Sequence, residues 1–217
     1  MADFQGFTPE TLDFLWGIRM NNNRDWFMAH KKQYTETLYE PMKALARMLY
    51  QPFQDEPGII MKVSRIYKDA RMHPVEPYKD HLWLCMRQDV EWWAENPCVY
   101  FEIRPEGVRY GFCFWKPRAD RLEDFRRDIA ARPDPFLKLI GETERAAGVS
   151  VTADLYKRPK PTEDPRLAPF FAWKGNISCE IGEAVGENLF DPGIGQRAKA
   201  LFEATFPLMQ YFCHFDA

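Results

Sequence analysis

Serine is scarce: Ser64, Ser150 and Ser178 are the only three in 217 residues. None sits in a G-x-S-x-G turn, so the strained elbow that presents a serine nucleophile is missing and serine hydrolysis is disfavoured. Glycine-rich loops that cradle phosphates or dinucleotides are absent too. The four histidines (His30, His73, His81 and His214) form no HxxxH or HExxH pair, so neither a zinc site nor any other metal or cofactor is expected. Cysteines are few and odd in number. Cys85, Cys98, Cys113, Cys179 and Cys213 are widely spaced, make no CxxC, and read as reduced, mostly buried thiols. No run approaches the roughly 20 apolar residues of a membrane span. The first residues lack a basic segment followed by an apolar one, so a secretory signal is not expected and the reading is cytoplasmic. Charge of one sign is also missing. The net charge is −3 and neither half of the chain carries a strong excess, which argues against a dedicated nucleic-acid binder.

What the chain does have is aromatic mass: 7 Trp and 17 Phe, enough to fill a large core or line a pocket. Its length fits one domain spanning residues 1–217. Thr8 followed by Pro9 opens a first helix through Leu12, Leu15 and Ile18. The Asn21-Asn22-Asn23 run ends it, with Asn22 as the expected cap of a second helix and Asp25 three residues on. That helix carries Trp26, His30, Tyr34 and Leu38 on one face, and Pro41 must kink or break it. Helices near 118–131 and 134–146, a short one near 164–172, a less regular stretch to 192 and a C-terminal helix from about 194 complete the helical complement.

Between them the pattern changes to alternation, predicting about four antiparallel strands near 59–67, 81–87, 98–104 and 108–115. The fold class is α+β. A two-residue turn at Glu106-Gly107 pairs Ile103 with Tyr110, Phe101 with Phe112 and Val99 with Phe114, which puts one apolar face towards the helices. The other face is mixed and carries Tyr100, Glu102, Gly111, Trp115 and, from the preceding strand, His81 and Trp83. In that register Gly111 lies opposite Glu102. A glycine within a strand often marks a close approach, so two readings stand: a recess over Glu102 walled by Trp83, Tyr100 and Trp115, or simply the wet face of an antiparallel sheet.

Between the first two strands runs a loop dense in charge, residues 65–81. Arg65 and Arg71 suit bidentate capture of a carboxylate or phosphate. Lys68 and Lys79 add point charges, Asp69 orients an arginine or accepts a proton, and His81 is the natural proton carrier. Tyr78 supplies an aromatic wall. The competing reading makes Arg65, Asp69 and Arg71 an internal ion-pair network, with Arg65 partly buried against Glu102 or Asp69.

Arg65, Asp69, Arg71, Tyr78 and Lys79 match a signature of an Arg, then Arg-Asp-x-Arg-Phe, then Asp-Lys, then Tyr-Lys. Together with Phe7-Thr8-Pro9-Glu10, Asn21 to Phe27, Tyr156-Lys157-Arg158-Pro159 and Phe114-Trp115, they make the chain resemble the bacterial domain-of-unknown-function family 2461 along nearly its whole length. It departs from that pattern at three places. Lys68 stands for an arginine, Met72 for the phenylalanine, and Pro74-Val75-Glu76 where the Asp-Lys would be. The resemblance implies a fold and a place for a site, and no reaction.

Two function classes follow. The first is a site for a small anionic molecule. Arg65, Asp69, Arg71, Tyr78, Lys79, Trp83, Tyr100 and Trp115 would bind it, with His81 or Glu102 as acid or base if the protein is an enzyme. The second is a non-catalytic module docking a protein or a nucleic-acid strand. An open, flat mixed face would favour the second, a deep recess over Glu102 and Gly111 the first.

Overall fold

The structure, a computed structural model, describes residues 3–69, 71–91 and 95–216. Helix α1 (Pro9–Met20) starts as its sequence dictates, with Pro9 at the first position and the Thr11 hydroxyl accepting from the Thr8 N–H at 3.1 Å. Helix α2 (Arg24–Gln33) is capped by Asn23, not Asn22; the Asn23 side chain accepts from the Trp26 N–H at 3.0 Å. The helix then passes through a π-helical turn (Tyr34–Tyr39) into α3 (Glu40–Tyr50). Pro41 explains the turn. It offers no N–H to the Thr37 carbonyl four residues back. That carbonyl is satisfied from another helix, by the buried Thr11 hydroxyl at 2.6 Å. Helices α1 and α2 meet at Gly17, where an added Cβ would stand 2.4 Å from the Trp26 ring.

Strands β1 (Ile59–Val63), β2 (Leu82–Gln88), β3 (Cys98–Arg104) and β4 (Gly107–Phe114) follow, then α4 (Ala119–Ala131) and α5 (Pro133–Ala147). Next come β5 (Thr152–Leu155), α6 (Ala168–Phe171), β6 (Trp173–Ala184), α7 (Glu187–Phe190) and α8 (Gly193–Cys213). The sheet has six strands, not four, in the order β1-β2-β3-β4-β6-β5, with every neighbouring pair antiparallel. Strand β6 lies in the stretch expected to be irregular. Gly175, Asn176, Gly182 and its acidic residues give it a poor strand composition, and pairing with β4 from Gly107↔Ala184 to Phe114↔Ile177 overrides that preference.

The β3–β4 hairpin also differs from expectation. Its two-residue loop is Pro105-Glu106, and the pairs are Ile103↔Val108, Phe101↔Tyr110 and Val99↔Phe112. Gly107 therefore belongs to the strand, where a Cβ would fall 2.1 Å from the Glu183 carbonyl oxygen of β6. Its glycine answers to a close approach and not to the turn. Because the slip is two residues, the assignment of faces survives it. Gly111, however, faces Tyr100, and Glu102 faces Arg109.

Helices α3 and α8 lie on the apolar face, against β1 and β2 and against β3 and β4 respectively. Leu82, Leu84, Met86, Val99, Phe101, Ile103 and Phe112 are fully buried there. At roughly 1.5–3 kcal/mol for each such side chain, this face is the main source of stability. The opposite face stays open to solvent around Lys62, Arg104 and Arg109.

Candidate functional site

The charged loop is a small ribbon with an anchored base and an exposed tip. Strand β1 stops at Val63, and the chain leaves the sheet through Ser64, whose N–H donates to the Trp83 carbonyl at 2.7 Å. Beyond it, Lys68 N–H donates to the Pro77 carbonyl and Lys79 N–H to the Ile66 carbonyl, both at 2.8 Å, bracketing a bridge between Tyr67 and Tyr78. The alternation that extended the first expected strand to Tyr67 reflects this ribbon.

Tyr78 is 4% exposed, and its ring stacks on Phe27 at 4.3 Å. The Asn22 carboxamide grips its backbone from both sides. Asn22 Nδ2 donates to the Tyr78 carbonyl at 2.9 Å, and Asn22 Oδ1 accepts from the Tyr78 N–H at 3.0 Å. The asparagine run is thus structural at all three positions: Asn21 Nδ2 donates to the Gly17 carbonyl, Asn22 clasps Tyr78, and Asn23 caps α2.

At the tip, Asp69 accepts from the Arg71 backbone N–H and from its guanidinium Nε, each at 3.0 Å, and from Nη2 at 2.7 Å. The fork of Arg71 is filled by its neighbour while the side chain remains 89% exposed. Its hydrogen bonds hold Asp69 below the usual carboxylate value. Lys68 pairs with Glu76 at 3.3 Å.

At the base Lys79 meets the Arg65 backbone and the Trp83 ring, and His81 lies between Lys79 and Trp83 in the chain. Arg65 is exposed, contrary to the expectation of partial burial. Its expected partners are occupied, Glu102 by Arg104 and Asp69 by Arg71. Lys79 is half-buried; its Nζ donates to the Arg65 carbonyl at 2.7 Å and lies 5.6 Å from the Trp83 ring centroid. Burial, then the nearby Arg65 charge, lower its pKa from the ordinary lysine value. Glu102, opposite Trp83 in the β2–β3 register, is half-buried.

Three residues beside this base were not foreseen as part of it. Asp80 Oδ1 lies 3.0 Å from His81 Nδ1, and Asp80 Oδ2 accepts from Arg19 Nε at 2.6 Å. The remaining guanidinium nitrogens of Arg19 pair with Glu106 in the hairpin loop. Burial pushes the Asp80 carboxyl up, but hydrogen bonds from His81 and Arg19 and the Arg19 charge outweigh it and leave the pKa below the usual value. Only the adjacency of Asp80 and His81 was visible in sequence; Arg19 and Glu106 come from distant elements.

The mixed sheet face is arranged differently from the expected recess. Tyr100 and Glu180 both pair with Gly111, on β3 and β6 either side of β4, yet the Tyr100 hydroxyl donates to Glu180 Oε2 at 2.6 Å. The ring therefore crosses the bare Gly111 backbone and occupies the space a ligand was expected to enter. Trp115, 55% exposed, lies under the Lys116 ammonium at 4.1 Å. Neither joins the group at the loop base. A cleft of about 820 Å³ lined by Ala130, Leu167, Phe171 and residues 161–165 contains none of the candidate residues. Among the described residues no group of three or more His, Cys, Asp or Glu is placed to hold a metal ion.

No described helix is long and apolar enough to cross a membrane. No curated protein matches the chain. A family model for conserved hypothetical proteins matches residues 10–211, from α1 into the last turn of α8. That span contains the loop base, the Asn22 clasp and the whole sheet, and the chain belongs to this family, DUF2461.

Proposed function

We propose that the chain binds a small anionic molecule, a phosphate or carboxylate, at the base of the charged loop. Lys79 and Arg65 supply the charge, and Trp83 supplies a flat wall. The carrying observation is the pair of cations. Lys79 and Arg65 sit together with no carboxylate ion-paired to either among the described residues, and burial, then the Arg65 charge, loosens the Lys79 proton. Around them Arg19, Lys68, Arg71 and Arg104 all have acidic partners. An anion placed between Lys79 and Arg65 would relieve their repulsion and gain charge-assisted hydrogen bonds. Tyr78 serves this site through the fold, as the anchor of Lys79. Arg71 and Asp69 would contribute only if a ligand broke their mutual pair.

Isothermal titration and thermal shift against inorganic phosphate, sulfate and small carboxylates test the reading. A ligand at 100 times its Kd adds about 2.7 kcal/mol, or roughly 5–10 °C in a domain of this size. Lys79→Met is expected to abolish that shift while leaving the unliganded protein as stable or slightly more stable, since folding disfavours the ammonium at this position. A variant that loses stability but keeps its ligand shift refutes the assignment.

A second reading, a non-catalytic interaction module, draws on a different observation. The Tyr100 ring fills the expected recess and the mixed face is open, with Arg104 and Arg109 side chains 45% and 55% exposed. Binding of a protein or nucleic-acid strand that Arg109→Glu abolishes and Lys79→Met leaves intact would favour it.

A further inference from the structure

The side chains around His81 form a connected series. Glu106 holds two nitrogens of the Arg19 guanidinium, the third donates to Asp80 Oδ2, and Asp80 Oδ1 meets His81 Nδ1. Asp80 is thereby fixed in rotation, with one oxygen spoken for and the other directed at the imidazole. An ionised carboxylate only accepts hydrogen bonds, so His81 Nδ1 carries the proton and, in the neutral ring, Nε2 is left as an acceptor. No described residue bonds Nε2. The side chain is about one-third exposed, with a relative accessibility of 32%. Lys79 and Trp83 flank His81 in the chain, and the Lys79 ammonium lies 5.6 Å from the Trp83 ring centroid. His81 is two residues along the chain from each member of that pair, and neither Lys79 nor Arg65 is ion-paired to a carboxylate among the described residues.

We infer that Asp80 holds His81 in the tautomer with Nε2 free, making Nε2 a hydrogen-bond acceptor beside the Lys79–Arg65 anion site. The ligand class that fits is a phosphate or carboxylate bearing a hydroxyl. The anionic group binds Lys79 and Arg65. Nε2 accepts a hydrogen bond from the hydroxyl, while Nδ1–H donates to the Asp80 carboxylate, which keeps its charge. Asp80 acts here as a positioning residue, and Arg19 with Glu106 positions Asp80. The geometry of this centre is independent of the anion-binding reading above, but its choice of ligand rests on that reading.

The tautomer can be read directly by two-bond ¹H–¹⁵N NMR of the histidine rings at a pH where His81 is neutral, with His81→Gln supplying the assignment. Protonated Nδ1 and unprotonated Nε2 are expected in the wild-type chain, opposite to the form that dominates free imidazole side chains in water. Asp80→Asn is expected to lose that signature. An Nε2–H tautomer in the wild-type protein overturns the inference without any variant, and so does a signature unchanged in Asp80→Asn. Inorganic phosphate, added at constant pH, is expected to shift the His81 ring resonances saturably, and Lys79→Met to lose the shift while retaining the tautomer. If phosphate binds by thermal shift without moving those resonances, His81 lies outside the anion site and the inference fails while the anion reading stands. If phosphate does not bind at all, the anion reading fails, and the assignment to an anionic substrate fails with it.

Discussion

Replacing Asn22 by alanine removes one side chain and strands two backbone groups. The Asn22 carboxamide donates to the Tyr78 carbonyl at 2.9 Å and accepts from the Tyr78 N–H at 3.0 Å, both in a partly buried setting. A typical intramolecular hydrogen bond contributes a net ~0.5–1.5 kcal/mol, and a stranded buried partner costs more. Two such bonds place the expected loss at about 2 kcal/mol, or roughly 4–8 °C in melting temperature for a domain of this size. Urea denaturation should show a lower midpoint with an unchanged slope, since the surface exposed on unfolding is the same. Hydrogen exchange sharpens the test. The Tyr78 amide should become fast-exchanging in Asn22→Ala and stay protected in Asn23→Ala, which removes a helix cap worth about 1 kcal/mol but leaves the clasp. Lys79 follows Tyr78 directly, so Asn22→Ala should also weaken anion binding without touching a ligand atom. A stability change under ~0.5 kcal/mol, or equal exchange at Tyr78 in both variants, would refute the reasoning.

Gly111→Ala should be among the most damaging single changes. Its Cβ would fall 2.3 Å from the Cys179 carbonyl oxygen, at a φ of +135° that side chains rarely adopt. A loss of about 3 kcal/mol or more is expected by thermal melt, together with the Tyr100–Glu180 contact; a near-neutral variant contradicts the close approach of β4 and β6. Acid should weaken the loop base. Asp80 has a folded pKa below the ordinary 3.8, so its contribution is complete above that value and is lost as pH falls through the folded value. Unfolding free energy measured at pH 6 and at pH 3 should differ less in Asp80→Asn than in the wild type, and an identical difference in both refutes the assignment. Burial pushes the Cys85 thiol up to about 11, Cys113 to about 12 and Cys179 to about 11, and raises Cys98 as well. These four should therefore label slowly with a thiolate-directed reagent at pH 8 in the native protein and quickly in denaturant. Fast native labelling at Cys85 or Cys179 contradicts its burial.

The core-facing half of the sheet was legible because strand alternation repeats every two residues and tolerates the error made in the hairpin. Placing Gly107 in the turn shifted every pair by two, which leaves Phe101 and Phe112 facing the helices whichever register is used. The same shift was not harmless for the site. It set Gly111 opposite Glu102 and suggested a recess, whereas Gly111 lies opposite Tyr100 and is crossed by its ring. Strand β6 escaped notice for a related reason: Gly175, Asn176 and Gly182 weaken its local strand signal, and the pairing that makes it a strand comes from β4.

Charge partners show the same division between local and distant information. The Asp69–Arg71 pair closes over two residues, and a short-range reading of the loop could anticipate it. Arg19 reaches Asp80 across 61 positions and Glu106 across 87, and nothing in the local pattern of any of the three marks them as partners. Their meeting depends on three independent placements: the end of α1, the last residues of the charged loop and the tip of the β3–β4 hairpin. The Asn22 clasp ties the start of α2 to the loop two residues before Asp80. The hairpin loop is Pro105-Glu106, and Glu106 lies in the loop in the expected register as well as in the observed one. The register that closed the candidate recess on the sheet face leaves the proposed anion site at the edge of the sheet, where Asp80 Oδ1 lies 3.0 Å from His81 Nδ1 and neither Lys79 nor Arg65 is ion-paired to a carboxylate among the described residues.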